Sequence, residues 1–198
     1  MTSVICRTSE GAMLAYREFL DDLLKGYQNC YDIERVESPE EGGDLPLVAK
    51  AHFHLMESQC VVFKEFSMWT AESDEYVFIF HAHQFTKEMA EKIIRYTQEV
   101  GLPLIELDRV NMKRQHMCTR LVAVVLSENV SKEAEKCFKK CRVYKNFNFS
   151  LKGWMEMHTV TVNLQEEKVT GNRYSRATVK FIKELISHIK RRANIKLA

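Results

Sequence analysis

The residues best suited to chemistry in this 198-residue chain are histidines arranged as two His-x-His pairs. One pair is His52 and His54, and the other is His81 and His83. Side chains alternate along a β-strand, so the two imidazoles of each pair point to the same face if the pair lies on a strand. Imidazole binds zinc, copper, nickel and iron. Two neighbouring strands would bring four imidazoles together, so the spacing predicts a transition-metal site at these residues.

The histidine pairs also have a structural interpretation that needs no metal. His52 and His54 alternate with Phe53 and would form the wet face of an amphipathic strand. The second pair follows a continuous apolar run and would mark the point where a buried strand emerges into solvent. Both interpretations stay open at the level of the sequence, which requires no cofactor and admits a transition metal as a ligand.

Glu156 and His158 form a second candidate for chemistry. An extended segment from 154 to 164 would place both on one face beside apolar side chains, where pKa values shift as they do in acid–base pairs. The alternative is that both lie at the exposed end of the strand. Cys137 and Cys141 are four residues apart on a predicted helix and are expected in the core. No Gly-x-Ser-x-Gly, Walker A or Gly-x-Gly-x-x-Gly sequence is present, so we name no catalytic residue.

Charge is divided unequally between the two halves of the chain. Residues 1–99 contain 9 Lys and Arg against 18 Asp and Glu, and residues 100–198 contain 20 against 9, so a total of +2 conceals halves of −9 and +11. Such a division indicates how a protein associates rather than how it folds. The acidic half would meet the basic half within one monomer or in a second copy of the chain, or the basic half would meet an anionic partner.

Basic residues that could bind an anion occur in three groups. Aromatic residues next to the second group are typical of single-stranded nucleic-acid binding, although Phe147 and Phe149 share a strand face and are better explained as core. The candidate residues are Arg109, Lys113 and Arg114, then Lys139, Lys140, Arg142 and Lys145, and finally Lys190, Arg191 and Arg192. Nucleic-acid binding is therefore an alternative function and not the favoured one.

Periodicity predicts the elements that must position these residues. The first three expected helices begin after the caps Ser9, Thr86 and Ser131, and Gly101 with Pro103 would end the second. The last expected helix runs from about Tyr174 to Arg192. The expected strands are residues 47–56, 60–69, 75–83, 118–126, 143–151 and 154–164. This order favours an α+β fold in which helices pack on a mixed, largely antiparallel sheet of about five to six strands. We expect one domain over residues 1–198, with the acidic loop 38–46 inside it.

Two segments of the chain repeat one pattern. EYVFIFHAHQFTKEMAEK and LVAVVLSENVSKEAEK each consist of an apolar strand, a short polar stretch, a Thr or Ser cap and a helix. The caps, Thr86 and Ser131, are 45 residues apart. The repeat indicates either a duplicated strand–helix unit or a common way of starting a helix.

The opening element order, α-β-β-β-α-β over residues 9–126, resembles that of the restriction-endonuclease-like nuclease core. This resemblance implies a metal-dependent nuclease with an acid near the second strand and a Glu/Asp-x-Lys motif on the third. The third strand here, EYVFIFHAH, lacks that motif, although Glu65, Glu72 and Asp74 are nearby. A metal-dependent hydrolase or a degenerate nuclease domain using the paired histidines is therefore an alternative function.

The remaining features indicate a cytoplasmic protein. No apolar segment is long enough to cross a bilayer, and the first residues lack the apolar stretch of a secretory signal. Six scattered cysteines without a Cys-x-x-Cys pair are then expected as free thiols. We expect a soluble, non-catalytic binding or regulatory domain that uses its acidic and basic halves for assembly, with itself as the first partner and without membrane contact.

Overall fold

A computed structural model of the protein describes residues 9–36, 45–53, 73–111, 118–147 and 154–196, except for the side chains of residues 9–15, 73, 106–111 and 193–196. Within these ranges the chain forms four helices and seven strands. The helices are α1 (Ser9–Tyr27), α2 (Lys87–Asn111), α3 (Lys132–Lys140) and α4 (Arg176–Lys196). The strands are β1 (Tyr31–Arg35), β2 (Leu47–Phe53), β3 (Ser73–Phe85), β4 (Cys118–Val130), β5 (Tyr144–Asn146), β6 (Trp154–Asn163) and β7 (Lys168–Gly171).

All seven strands belong to one mixed sheet. Its order is β1-β2-β3-β4-β6-β5, and β7 pairs with the same edge of β6 as β5 does. The β1–β2 and β2–β3 pairs are antiparallel, the β3–β4 and β4–β6 pairs are parallel, and β5 and β7 run antiparallel to β6. Four of these six pairs are antiparallel, so the predicted α+β fold with a mixed, largely antiparallel sheet is confirmed.

Helices cover both faces of the sheet and create two hydrophobic cores. On one face, α1 and α4 pack on Val77, Ile79 and their neighbours. On the other face, α2 and α3 pack on Phe78, Phe80 and theirs. Because β3 and β4 carry apolar side chains on both sides, they occupy the centre of the sheet, where both faces are removed from water.

Several element boundaries differ from those expected. β1 and β7 are not among the predicted strands. Of the predicted strand 143–151 the structure describes residues 143–147, of which Tyr144–Asn146 form β5. The predicted strand at 60–69 lies outside the described residues. The predicted end of the second helix at Gly101 and Pro103 is wrong, because α2 continues to Asn111. The turn that follows Pro103 buries Ile105, which is 1% exposed, and this burial offsets the hydrogen bond that proline cannot donate.

The two segments with the repeated pattern lie side by side. The paired residues of β3 and β4 are 45 positions apart, from Ser73 with Cys118 to Phe85 with Val130. The helices that follow have equivalent caps. The backbone N–H of Met89 donates to Thr86 Oγ1 over 3.3 Å, and that of Ala134 donates to Ser131 Oγ over 3.1 Å. The spacing of the repeat is therefore also the register of the central parallel strands.

Candidate metal centre

The ends of β3 and β4 bring one histidine pair beside a glutamate. Ala82 pairs with Ser127 and Gln84 with Asn129, so His83 lies next to Glu128 across the two strands. Parallel strands carry laterally paired side chains on the same face, and His81 shares that face because it is two residues from His83. Three potential metal ligands therefore converge on the side of the sheet that α1 covers.

The distances within this group suit a shared ion. His81 Nε2 lies 3.0 and 3.3 Å from the two carboxylate oxygens of Glu128, and His83 Nδ1 lies 3.4 Å from Oε2. One ligand atom from each residue fits within a mutual distance of 4.8 Å. Ligands about 2.0–2.2 Å from one ion are roughly 3–3.5 Å from each other at tetrahedral or octahedral angles. The side chains therefore need only small movements to bind a metal.

Burial divides this group, which we call the metal centre, into a closed and an open side. Glu128 has a side-chain exposure of 5% and His81 of 13%, whereas His83 is 64% exposed. The ring of Tyr16 on α1 stacks on His81 with centroids 3.5 Å apart, and burial raises the pKa of Tyr16 to about 12. The neutral tyrosine fixes the orientation of the buried imidazole, while the exposed imidazole leaves one side of the metal centre open to solvent.

His52 of the first histidine pair does not join the metal centre. His52 on β2 pairs with Tyr76 and stacks on its ring with centroids 4.2 Å apart. Tyr76 and His81 are five residues apart on β3, so they point to opposite faces about 16 Å apart along the strand. His54 lies outside the described residues. The second pair instead acquires Glu128, a residue that the sequence analysis did not select.

Glu156 and His158 lie on the same face at the opposite end of the parallel strands. His158 Nε2 is 2.9 Å from Glu156 Oε1, and this hydrogen bond lowers the pKa of Glu156. Across the sheet, Arg120 lies between Glu156 and Glu75, with its Nε 3.8 Å from the Glu156 carboxylate. The predicted pair is thus half of a row of charged residues across β3, β4 and β6.

Glu75 is the most deeply buried carboxyl of that row. Its side chain accepts a hydrogen bond of 3.1 Å from the Tyr31 hydroxyl, and burial raises its pKa against the opposing effects of His158 and Arg120. Its Oε2 atom and His158 Nδ1 are buried without a hydrogen-bond partner in the described part of the chain. The row therefore contains a buried carboxyl group whose pKa is raised by burial.

The structure distributes the predicted basic residues instead of gathering them. Lys139 and Lys140 belong to α3, which packs on one face of the sheet, and Lys190, Arg191 and Arg192 belong to α4, which packs on the other. Lys145 belongs to the edge strand β5. Lys139 pairs with Glu135, Lys190 with Glu167 and Arg192 with Asp22. Two arginines donate to backbone carbonyls, Arg142 to those of Lys139 and Cys141 and Arg191 to that of Ser187. The Nζ atom of Lys145 lies 5.3 Å from the Phe147 ring centroid. Lys140 is exposed. Lys113 and Arg114 lie outside the described residues, as does the side chain of Arg109.

In the order of the sheet, the strands of the acidic half of the chain are grouped together, and so are the strands of the basic half. Strands β1, β2 and β3 come from residues 1–99 and occupy one side of the sheet order, and β4, β6, β5 and β7 come from residues 100–198 and occupy the other. The two halves meet at the β3–β4 pair and at the ion pair between Asp22 of α1 and Arg192 of α4.

The described residues include both free and disulfide-bonded cysteines. Cys118, Cys137 and Cys141 are free, and burial raises the pKa of all three thiols. The expectation of free thiols fails at Cys30, which is disulfide-bonded. None of the helices in the described ranges is long and apolar enough to cross a lipid bilayer.

The protein has a mixed α+β fold with two imidazoles and a carboxylate at the carboxyl ends of its parallel strands. Residues 15–184 match the model of a family described as a domain of unknown function, DUF8052, and the chain belongs to this family. No curated protein and no solved structure matches the chain.

Proposed function

We propose that this protein is a metal-binding domain that holds one divalent transition-metal ion on His81, His83 and Glu128. The observation that carries the proposal is the convergence of three ligand atoms within 4.8 Å at the ends of two paired strands. Strands fix their side chains more rigidly than loops do, so these ligands need little ordering when an ion binds.

The ligand set indicates the kind of ion and the kind of site. Two imidazoles and one carboxylate suit zinc, iron, cobalt and nickel, whereas magnesium and calcium prefer oxygen ligands. Three protein ligands leave at least one coordination position for water or another molecule, which is typical of sites that bind or transform a ligand. The exposed side of His83 gives that position access to solvent.

Metal binding to untagged protein tests the proposal directly. We expect calorimetric titration with Co²⁺, Ni²⁺ or Zn²⁺ to give one ion per chain. Loss of residues that only support a metal ligand costs about 10–100-fold in affinity. Glu128→Gln and His83→Asn each remove a ligand and should weaken binding by at least about 100-fold.

Matched controls separate this site from nonspecific binding to surface histidines and acids. His188 on α4 and Glu166 after β6 are exposed. His188→Asn and Glu166→Gln should bind metal as the unaltered protein does. Equal affinity of all five proteins would contradict the proposal, as would a stoichiometry that falls in the control variants.

A second candidate function is assembly through the charged halves, in which the acidic side of one copy meets the basic side of another. The sheet order supports it, because the strands of each half are grouped together in that order. Such a contact would be strong at low ionic strength and screened at high salt, since the Debye length falls from about 10 Å at 0.1 M to about 3 Å at 1 M.

Sedimentation of the full chain at several salt concentrations tests assembly. We expect an oligomer in dilute buffer that dissociates as sodium chloride approaches 1 M. A monomer at every ionic strength would contradict this function. Retention on a nucleic-acid column that declines with salt, without self-association, would favour the nucleic-acid alternative instead.

We also propose a cytoplasmic location, which the three free thiols support. The disulfide at Cys30 is the opposing observation. Mass spectrometry after alkylation of protein taken from its native cells decides between them. A fully alkylated Cys30 would support the cytoplasm, and an oxidised Cys30 would contradict it.

A further inference from the structure

A small cavity opens between α1, α4 and the end of β6. Its volume is about 200 Å³. The apolar part of its wall comes from Phe19, Val162, Leu164, Ile186 and Ile189. The polar part consists of Glu18, Asp22, Asn163, Glu167, Lys190 and Arg192. The ion pairs of Arg192 with Asp22 and of Lys190 with Glu167 join α4 to α1 and to the turn after β6.

The cavity wall shares no residue with the metal centre, but two wall residues, Leu164 and Phe19, lie near it in the fold. Ser127 pairs with Asn163, and the N–H of Leu164 donates to the carbonyl of Ser127 over 2.7 Å, so Leu164 follows β6 beside Glu128. Laterally paired side chains in a sheet are about 5 Å apart. On α1, Phe19 lies one turn beyond Tyr16, the residue that stacks on His81. A short molecule could therefore reach from the metal into the cavity.

We propose that the cavity and the metal centre together bind a medium-chain monocarboxylate, with its carboxylate on the metal and its alkyl chain in the cavity. This inference rests on the proposed metal function. A divalent ion bound by one glutamate retains a charge of about +1, which a monoanionic head group neutralises. The head group takes a coordination position that the three protein ligands leave free.

The composition of the cavity wall sets the orientation of the ligand. Its charged residues are three acids and two bases, and both bases are already paired with acids. A carboxylate inside the cavity would therefore meet more negative than positive charge, whereas an alkyl chain would contact Phe19, Val162 and the isoleucines. A methylene occupies slightly less space than a water molecule, about 30 Å³, so 200 Å³ accommodates roughly six to eight carbons.

The test uses the Co²⁺-loaded full chain and a series of carboxylates from acetate to decanoate. The visible absorption of Co²⁺ reports a carboxylate on the metal, and titration gives each affinity. Every added methylene should improve binding about fourfold until the cavity is full. Hexanoate should therefore bind on the order of 100-fold more tightly than acetate, and decanoate no better than octanoate.

Two variants test whether the chain occupies this cavity. Ile189→Trp fills the space and should remove the preference for longer chains, and Leu164→Ala enlarges it and should move the optimum to a longer chain. The Co²⁺ affinity of each variant is measured beside the carboxylate affinities. If Ile189→Trp leaves the preference for longer chains unchanged, the assignment of the alkyl chain to this cavity is overturned.

The outcomes separate the two proposals. If Co²⁺ does not bind the unaltered protein, the proposed function fails. If Co²⁺ binds but acetate and octanoate have equal affinity, the metal function stands and this inference is overturned. The inference is also overturned if octanoate binds metal-free and Co²⁺-loaded protein equally well and does not change the spectrum of the loaded protein. The head group would then not be on the metal.

Discussion

Asn172 anchors α4, one wall of the cavity, and its replacement by alanine should be costly. The side chain is buried and makes four hydrogen bonds. Nδ2 donates to the carbonyls of Cys141 and Met157 over 3.3 and 2.7 Å. Oδ1 accepts from the N–H groups of Tyr174 and Ser175 over 3.2 and 3.1 Å. One amide thus joins the end of α3, the middle of β6 and the start of α4.

The expected loss follows from those contacts. A typical intramolecular hydrogen bond contributes about 0.5–1.5 kcal/mol net, so four would give roughly 2–6 kcal/mol. Tyr174 is partly exposed, and water can replace its bond, which leaves three bonds in a buried setting. We expect Asn172→Ala to lower the free energy of unfolding by about 3 kcal/mol. Asn172→Asp should cost at least as much near neutral pH, because a carboxylate oxygen would face two carbonyl oxygens.

Urea denaturation followed by circular dichroism measures this loss, and Asn129→Ala is the matched control. Asn129 is exposed, and its Nδ2 makes a contact of 3.5 Å with the carbonyl of His83. That control should change the free energy of unfolding by less than about 0.5 kcal/mol. If Asn172→Ala falls within about 1 kcal/mol of the control, the hydrogen bonds of Asn172 do not hold α4 in place, and the reasoning is refuted.

Three further predictions concern the metal centre, the buried acid and the packing of β7. Saturation with Co²⁺ at 100 times the dissociation constant should raise the free energy of unfolding by about 2.7 kcal/mol, and Tm by roughly 5–10 °C in a thermal melt. Glu128→Gln should abolish both gains. Because the pKa of Glu75 is raised on folding, its contribution to stability is largest below the unfolded pKa and is lost as pH rises through the folded pKa. Urea denaturation from pH 4 to 8 should therefore show stability falling less steeply with pH in Glu75→Gln than in the unaltered protein, and equal slopes would contradict the buried acid. Gly171→Ala would place a Cβ 2.9 Å from the backbone oxygen of Thr159, so it should cost about 1–3 kcal/mol in urea, and a neutral result would show that β7 can shift.

The long central elements could be predicted from the sequence because local pattern and tertiary packing agree there. β3 and β4 carry uninterrupted apolar segments, and β6 has an extended pattern of apolar and polar residues. The capping residues Thr86 and Ser131 begin α2 and α3 as expected. Short edge strands could not be predicted. β1 has the sequence YDIER, in which only Tyr31 and Ile33 face the core, and its pairing with β2 holds it in place. The continuation of α2 through Pro103 also depends on tertiary burial, here that of Ile105, which outweighs the local signal for a helix end.

The sequence contains the spacing that brings Glu128 to the histidines, but the histidine pattern alone does not identify it. The His-x-His spacing correctly places His81 and His83 on one face of one strand, but it does not identify the neighbouring strand. If the two strands with histidine pairs are assumed to be neighbours, His52 is chosen as a ligand. In the structure His52 of β2 pairs with Tyr76 of β3 and therefore lies on the face opposite to His81. The 45-residue repeat identifies the neighbouring strand, because the residue 45 positions after His83 is Glu128 and the same spacing separates the paired residues of β3 and β4. An interpretation of the repeat as two adjacent parallel strands predicts Glu128 as the carboxylate ligand. A repeat of strand, cap and helix therefore predicts which residues of two adjacent strands pair with each other. Polar residues at equivalent positions of the two copies are candidates for one site.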